Sequence, residues 1–275
     1  MAVSGALRRA DDQLRVALVT GACSGIGKAI ATKLGSCGYE LVIVSEQADR
    51  LARAAGEIRE AYGVTVHAIK MDLARPEAAE ELYCAVEELG VRVDILVNNA
   101  GIFFFGETAD ASLDRANAML QLHVVTPSLL CSRFVRDMRV ARGGHVLIVS
   151  SISAWRDFPG ISYYGSSKRY LRSFARALRS ELAVYDVNVT CLAPGATATE
   201  LYDTNNEPVQ RAKRYGLMMD ADAVAEVGLR AMFARKAECV PGLRTRAMLF
   251  LTVLTPQWVI DLIRRRSPWL PGGQS

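Results

Sequence analysis

The chain has 275 residues, 51% hydrophobic and 23% charged, with 33 Lys+Arg against 29 Asp+Glu and a formal net charge of +4. That composition excludes disorder and collagen-like repetition, and it suffices for one large α/β domain with a sizeable core. So small a positive excess, with no basic run interleaved with aromatics, argues against nucleic acid as a partner.

Cys23, Cys37, Cys84, Cys131, Cys191 and Cys239 lie far apart without a C-x-x-C pair, and the three histidines have no metal-pair spacing. Free thiols in a reducing cytoplasm are expected, and no metal site. The first fifteen residues hold no apolar stretch of signal-peptide length, and no run of 18 apolar residues occurs; a cytoplasmic chain without a spanning helix is expected.

In chain order, six short runs rich in Val, Ile and Leu read as strands: residues 16–20, 41–45, 64–69, 93–97, 145–150 and 187–192. Their near-continuous apolarity suits a parallel sheet covered on both faces. Between them, residues 25–37, 48–62, 76–89, 113–139 and 162–185 carry helical periodicity. The alternation predicts a doubly wound, Rossmann-like α/β sheet in a single domain spanning 1–275. Its core covers about residues 15–200, followed by a small helical substrate lobe (200–220) and a C-terminal helical extension (244–266). Ligands of such sheets bind beyond the carboxyl ends of the strands, at the switch point of strand order. The segments that follow the strands carry chemistry.

The first is Thr20-Gly21-Ala22-Cys23-Ser24-Gly25-Ile26-Gly27, which passes into a helix. Its glycines allow a tight turn and close approach to a pyrophosphate, with helix N-terminal amides facing the anion. Asp72-Leu73 follows the third strand and Asn98-Asn99-Ala100-Gly101 ends the fourth; Asp72 taken alone is also a plain helix cap. Tyr164-Gly165-Ser166-Ser167-Lys168 sets a phenol and an ammonium one turn apart on a helix face. A nearby positive charge favours the phenolate and brings a group of pKa about 10 toward the range useful for acid–base work. Ser151 ends the fifth strand thirteen residues before Tyr164. Tyr163 is a rival, but the residue four positions on is Ser167 and not lysine.

In order and on matching elements, T-G-x-x-x-G-I-G, N-N-A-G, Ser151 and Y-x-x-x-K over roughly residues 15–200 resemble the short-chain dehydrogenase/reductase family. The resemblance implies a dinucleotide on Gly21, Ser24, Gly25, Ile26 and Gly27, with Asp72 and Leu73 at the adenine. Asn99, Ala100 and Gly101 would brace the sheet and line the groove. Pro194-Gly195-Ala196-Thr197-Ala198-Thr199 resembles the family's P-G-x-x-x-T, so Pro194, Gly195, Thr197 and Thr199 would hold the nicotinamide carboxamide. Tyr164 would be the general acid/base, Lys168 its aid and a ligand of the nicotinamide ribose, and Ser151 the group orienting the substrate oxygen.

One departure stands out. The family often has L-N-V-x-x-P in the long helix after N-N-A-G, where the asparagine carbonyl holds a water leading to the lysine. Here the segment is Leu122-His123-Val124-Val125-Thr126-Pro127. His123 reads either as a satisfied histidine packed near the core or as a proton relay among the catalytic residues.

At the end of the second strand, Ser45 occupies the usual acidic place of NAD enzymes, and Glu46 the place of an arginine that would bind the 2′-phosphate of NADP. A carboxylate beside a dianionic phosphate is unfavourable, so NAD is expected, with NADP as the alternative; Ser45 and the nearby Arg50 favour the latter.

Phe103, Phe104, Phe105, Leu201, Tyr202, Leu217, Met218 and Met219 suggest an apolar pocket, and hence a lipophilic alcohol or ketone. Arg169, Arg172, Arg176 and Arg179 form a stripe on the Tyr164 helix that needs acidic partners or water. In the family, this helix and the preceding one often build homo-oligomer contacts. Residues 247–263 are apolar between basic flanks and read as a helix pair docked over the cleft, or as a peripheral membrane contact. The chain thus reads as an NAD(P)-dependent oxidoreductase. The alternative is a regulatory or scaffold protein of the same fold with weakened catalysis.

Overall fold

The computed structural model describes residues 15–198 and 218–266. Seven parallel strands form one sheet: β1 (Val16–Thr20), β2 (Glu40–Ser45), β3 (Val66–Lys70), β4 (Val93–Asn98), β5 (Gly144–Val149), β6 (Val187–Leu192) and β7 (Glu238–Cys239). Their spatial order is β3-β2-β1-β4-β5-β6-β7. The six expected strands are present within two residues at each end. The two-residue β7 pairs Cys191 with Glu238 and Leu192 with Cys239, and it is too short for periodicity to announce it.

The helices are α1 (Gly25–Ser36), α2 (Ala48–Tyr62), α3 (Ala78–Glu88), α4 (Leu113–Leu120), α5 (Thr126–Ala141), α6 (Ser162–Leu182), α7 (Ala221–Phe233), α8 (Leu243–Leu254) and α9 (Gln257–Arg266). Successive strand residues point to opposite faces, and both faces are buried. Leu18, Val42, Leu96, Val146 and Val189 pack with Leu82 of α3, Phe134 of α5 and Leu171 of α6. Ala17, Val19, Ile43, Ile95 and Leu147 pack with Ile30 of α1, Ile58 of α2 and Met232 of α7. This two-sided cover explains why the strands read as continuous apolar runs.

The helix expected over 113–139 is interrupted. Residues Gln121–Val125 form a π-helical turn in which the Thr126 amide bonds Gln121 O, five residues back. Pro127 lacks the amide hydrogen that would return to the His123 carbonyl four residues earlier, so the ladder cannot continue unbroken. The whole stretch Leu113–Ala141 is long and apolar enough to cross a membrane by composition. Here Leu130, Cys131, Phe134 and Met138 are buried against the sheet, as in a core helix.

The strand order reverses between β1 and β4, which opens a crevice beyond their carboxyl ends. One side chain knits that gap. The buried Thr20 Oγ1 donates to Val97 O (3.2 Å) and accepts from the amides of Asn99 (2.9 Å) and Ala100 (3.1 Å). Thr20→Val keeps the shape and strands two amides, so it should cost about 1–3 kcal/mol. Urea denaturation of the two proteins measures this directly, and an unchanged midpoint would show the clasp to be energetically idle.

Candidate active site

The crevice holds a cleft of about 610 Å³. Its glycine turn leaves β1 with Gly21 and Gly25 at φ +65° and +53°, a conformation strained for residues with a Cβ. The Asn99 side chain closes over the turn, Nδ2 donating to Thr20 O (2.9 Å) and Gly21 O (3.2 Å). Gly27 is required by packing: a Cβ there would lie 2.1 Å from Gly21 O and 2.4 Å from Asn99 Nδ2. It is the one expected glycine of the turn that does not line the cleft among the described residues; it lets α1 come up beneath the turn.

Gly21, Ser24, Gly25, Ile26, Ser45, Glu46, Asp72, Leu73, Asn99, Ala100, Gly101, Pro194, Gly195 and Thr197 line the cleft, and so do Ser151, Tyr164, Lys168 and His123. Thr199 and residues 200–217 lie outside the described residues. Asp72 Oδ1 accepts from the Ala74 amide (2.8 Å), so it closes its own turn while facing the cleft.

At the end of β2, Ser45 is buried. Its hydroxyl donates to Cys23 Sγ (3.1 Å) and accepts from the Gln47 amide (3.2 Å). Cys23, absent from the expected set, thus joins the wall beside Ser45. Arg50 Nη1 donates to Gln47 Oε1 (3.0 Å). The Glu46 side chain is exposed and lines the cleft.

Tyr164 and Lys168 occupy the buried face of α6. Lys168 Nζ donates to Val149 O (3.2 Å) and lies 5.6 Å from the centroid of the Tyr164 ring. Burial pushes the Lys168 ammonium down to about 8. Ser150 Oγ donates to Lys168 O (2.7 Å) and pins this helix to the end of β5. Ser151 Oγ accepts from the Ser153 amide (3.2 Å) at the mouth of the same strand. Tyr163 packs by Phe104 (6.1 Å between rings) and does not line the cleft, whereas Tyr164 does.

His123, in the π turn, is 1% exposed. Nε2 accepts from the Ile102 amide (3.0 Å), which leaves the proton on Nδ1, 3.0 Å from Ser167 Oγ; Ser167 in turn donates to Tyr164 O (2.8 Å). Burial, and then the Lys168 charge, hold the imidazole well below its ordinary pKa. With both nitrogens committed, this geometry favours the packed histidine over the proton relay. Histidine thus ties the segment after N-N-A-G to the Tyr164 helix. Gly101 makes room for it, since a Cβ there would lie 2.8 Å from Nε2.

Of the aromatic triplet only Phe103 lines the cleft, edge-on to Tyr164 at 5.0 Å. Phe104 lies under the Arg115 guanidinium (5.1 Å), and Phe105 packs against Gly160. Met219 packs against the core and accepts from Thr245 Oγ1 (3.6 Å), so the expected apolar pocket loses it as a lining residue.

The arginine stripe finds its partners within the chain. Arg169 pairs with Asp157 (3.0 Å), and Arg172 (2.8 Å) and Arg176 (3.6 Å) meet Glu238 of β7. Arg179 donates to Val189 O (2.9 Å) and Arg235 O (2.7 Å). These pairs fasten α6 across the sheet edge.

A family model described as short chain dehydrogenase matches residues 15–210. The chain belongs to the short-chain dehydrogenase/reductase family. It is 36% identical over 200 residues to human Dehydrogenase/reductase SDR family member 4, a match covering 72% of each chain. Among solved structures it is similar to a short-chain dehydrogenase from Sphingobium yanoikuyae in complex with NADPH. That match has TM-score 0.77 and 25% identity and covers 92% of this chain and 98% of that one. A Burkholderia cenocepacia short chain dehydrogenase in complex with NADP aligns with TM-score 0.73 and 28% identity, covering 83% and 96%. Family membership makes the chain an oxidoreductase of this class.

Two histidines, the buried His123 and the half-buried His145, make the stability of the fold depend on pH. Burial, with Arg235 and Arg15, also pushes His145 down to about 4. Both imidazoles have folded pKa values below the ordinary 6.5. The unfolded chain therefore binds more protons below that pH, and stability must fall on acidification. Urea midpoints taken from about pH 7 to about pH 5 should decline. His123→Asn should flatten part of that decline; identical slopes in the two proteins would contradict the assignment.

Proposed function

We propose that the protein is a nicotinamide-dependent dehydrogenase/reductase that interconverts a lipophilic secondary alcohol and its ketone. The observation that carries this reading is the convergence of Ser151, Tyr164 and Lys168 on the same cleft as the glycine turn. The turn fits a dinucleotide: Gly25 and Ile26 bring the first backbone of α1 to the cleft, Gly21 keeps its floor free of a side chain, and Gly27 lets α1 pack close beneath the turn. Asp72 and Leu73 would flank the adenine, and Pro194, Gly195 and Thr197 the carboxamide. When bound, the nicotinamide supplies the acceptor or donor of hydride.

The chain's own residues handle the proton and the oxygen. In oxidation, Tyr164 Oη takes the proton of the substrate hydroxyl as the carbinol carbon loses hydride; in reduction it returns that proton to the carbonyl oxygen. Ser151 Oγ donates to the same oxygen and orients it. Lys168, buried beside the Tyr164 ring, stabilises phenolate through its positive charge. Ile102, Phe103 and Leu122 in the wall support a lipophilic substrate over a sugar. Tyr164→Phe should lower kcat by about 10²–10⁴-fold while cofactor binding persists. A variant that keeps full turnover would sink this mechanism. One that loses turnover yet keeps the biological effect would favour a regulatory protein.

For the cofactor, NAD(H) is proposed on two observations: the Glu46 carboxylate lines the cleft, and the Ser45 hydroxyl is engaged by Cys23 and Gln47. A phosphate on the adenosine ribose would meet that carboxylate unfavourably. NADP(H) is the second reading, supported by the NADPH and NADP in the two structural relatives. Glu46→Arg should improve kcat/KM for NADP by roughly tenfold or more, the worth of one charge-assisted contact. If wild type already prefers NADP strongly, the NAD reading is wrong. A cytoplasmic location and self-association through α5 and α6 belong to the same proposal. Exposed Leu129 and Tyr170 on those helices support the association.

A further inference from the structure

Among the described residues, α8 and α9 carry a concentration of exposed large apolar side chains. Among the described side chains, only Thr245 of α8 and Ile260 of α9 are buried. Leu243, Ala247, Phe250, Leu251 and Leu254 stand at i, i+4, i+7, i+8 and i+11, one stripe of a 3.6-residue helix. The four large side chains in that stripe are between 63% and 81% exposed. Monomeric soluble domains seldom leave such a row bare, and the usual reason is a surface that covers it. Trp258 and Leu262, one turn apart on α9, add exposed apolar area.

Charge decides what that surface is. By helical rotation Arg244 and Arg246 fall on opposite flanks of the stripe, and both are exposed. Arg246 Nε donates to Val240 O (2.8 Å), which anchors the head of the side chain beside the helix start. Residues 264–266 are three further arginines, and Asp261 is the single acidic residue between 243 and 266. This short segment therefore carries as much positive excess as the entire chain, whose formal net charge is +4. Pairing with a second copy through the same face would set these cations against themselves with one carboxylate each to offset them. An anionic lipid surface satisfies both features: the stripe enters the acyl boundary, and the flanking arginines reach headgroup phosphates.

We propose that α8 and α9 seat the protein on the surface of an anionic lipid bilayer. The first turn of α8 also touches the cleft wall, since a Cβ on Gly195 would lie 3.0 Å from Thr245 Cγ2. The nicotinamide end of the cleft would then lie next to the membrane. The docking itself is independent of the chemistry proposed above and is read by binding, not by turnover.

The test is flotation of the full-length protein with phosphatidylcholine vesicles and with vesicles that also contain phosphatidylglycerol, at low and high salt. The wild type should float with the anionic vesicles only, and salt should release it. Arg244→Gln with Arg246→Gln should weaken partitioning by roughly fivefold for each arginine removed. Leu251→Glu with Leu254→Glu should abolish it. Thermal melts and light-scattering mass accompany each variant. No flotation, equal flotation with neutral vesicles, or a leucine variant that changes the mass while still floating would each overturn the proposal. The wild-type arms decide it even where a variant fails to fold.

Discussion

The reversal of strand order between β1 and β4 is useful only while the two strand ends are held at a fixed separation, and Thr20 does the holding. Its hydroxyl bonds once to β4 and twice to the amides that follow β4, while Asn99 returns two bonds to the glycine turn. These partners are almost eighty residues apart in sequence, so the turn and the N-N-A-G segment form one rigid floor. Every lining residue is measured from that floor. The glycines matter for the same reason: a side chain at Gly27 would collide with Gly21 O and pry the floor apart.

The opposite wall is organised around a buried cation. Lys168 is taken out of water beside Val149 O and the Tyr164 ring, at a desolvation cost that brings its proton closer to neutral pH. Such a group is tolerable only where the backbone around it cannot move. Ser150 Oγ fixes the helix to β5, and the chain from Ile102 through His123 and Ser167 to Tyr164 O fixes it to the segment after β4. The histidine acts by being neutral: a charged ring could not accept the Ile102 amide, and it would face Lys168 in a low-dielectric interior. The ring makes two hydrogen bonds, to different elements of the fold.

The edge strand β7 has a role out of proportion to its two residues. Glu238 gathers Arg172 and Arg176 from α6, and Arg172 also covers the Trp155 ring at 4.1 Å. Two arginines of the stripe, Arg172 and Arg176, therefore join the Tyr164 helix to the sheet edge. Among the described residues, exposed apolar side chains gather farther on, at α8 and α9.

What the sequence determined alone was the part written in short-range pattern. Six strands, the turns after them and the Y-x-x-x-K face follow from apolar runs, glycine spacing and helical period, each a property of neighbouring residues. The π turn was legible in principle from Pro127, which cannot return an amide to His123. Helix α7 and the pair across β7 were not read, the latter because two residues carry no period. Only the tertiary structure decided the remainder. It showed that Ser45 is spoken for by Cys23, that Phe103 alone of three phenylalanines reaches the cleft, that His123 spans two elements, and that the arginines of α6 meet Glu238. Each of these is a contact between residues distant in sequence, and such contacts are set by how layers pack rather than by any local preference of the chain.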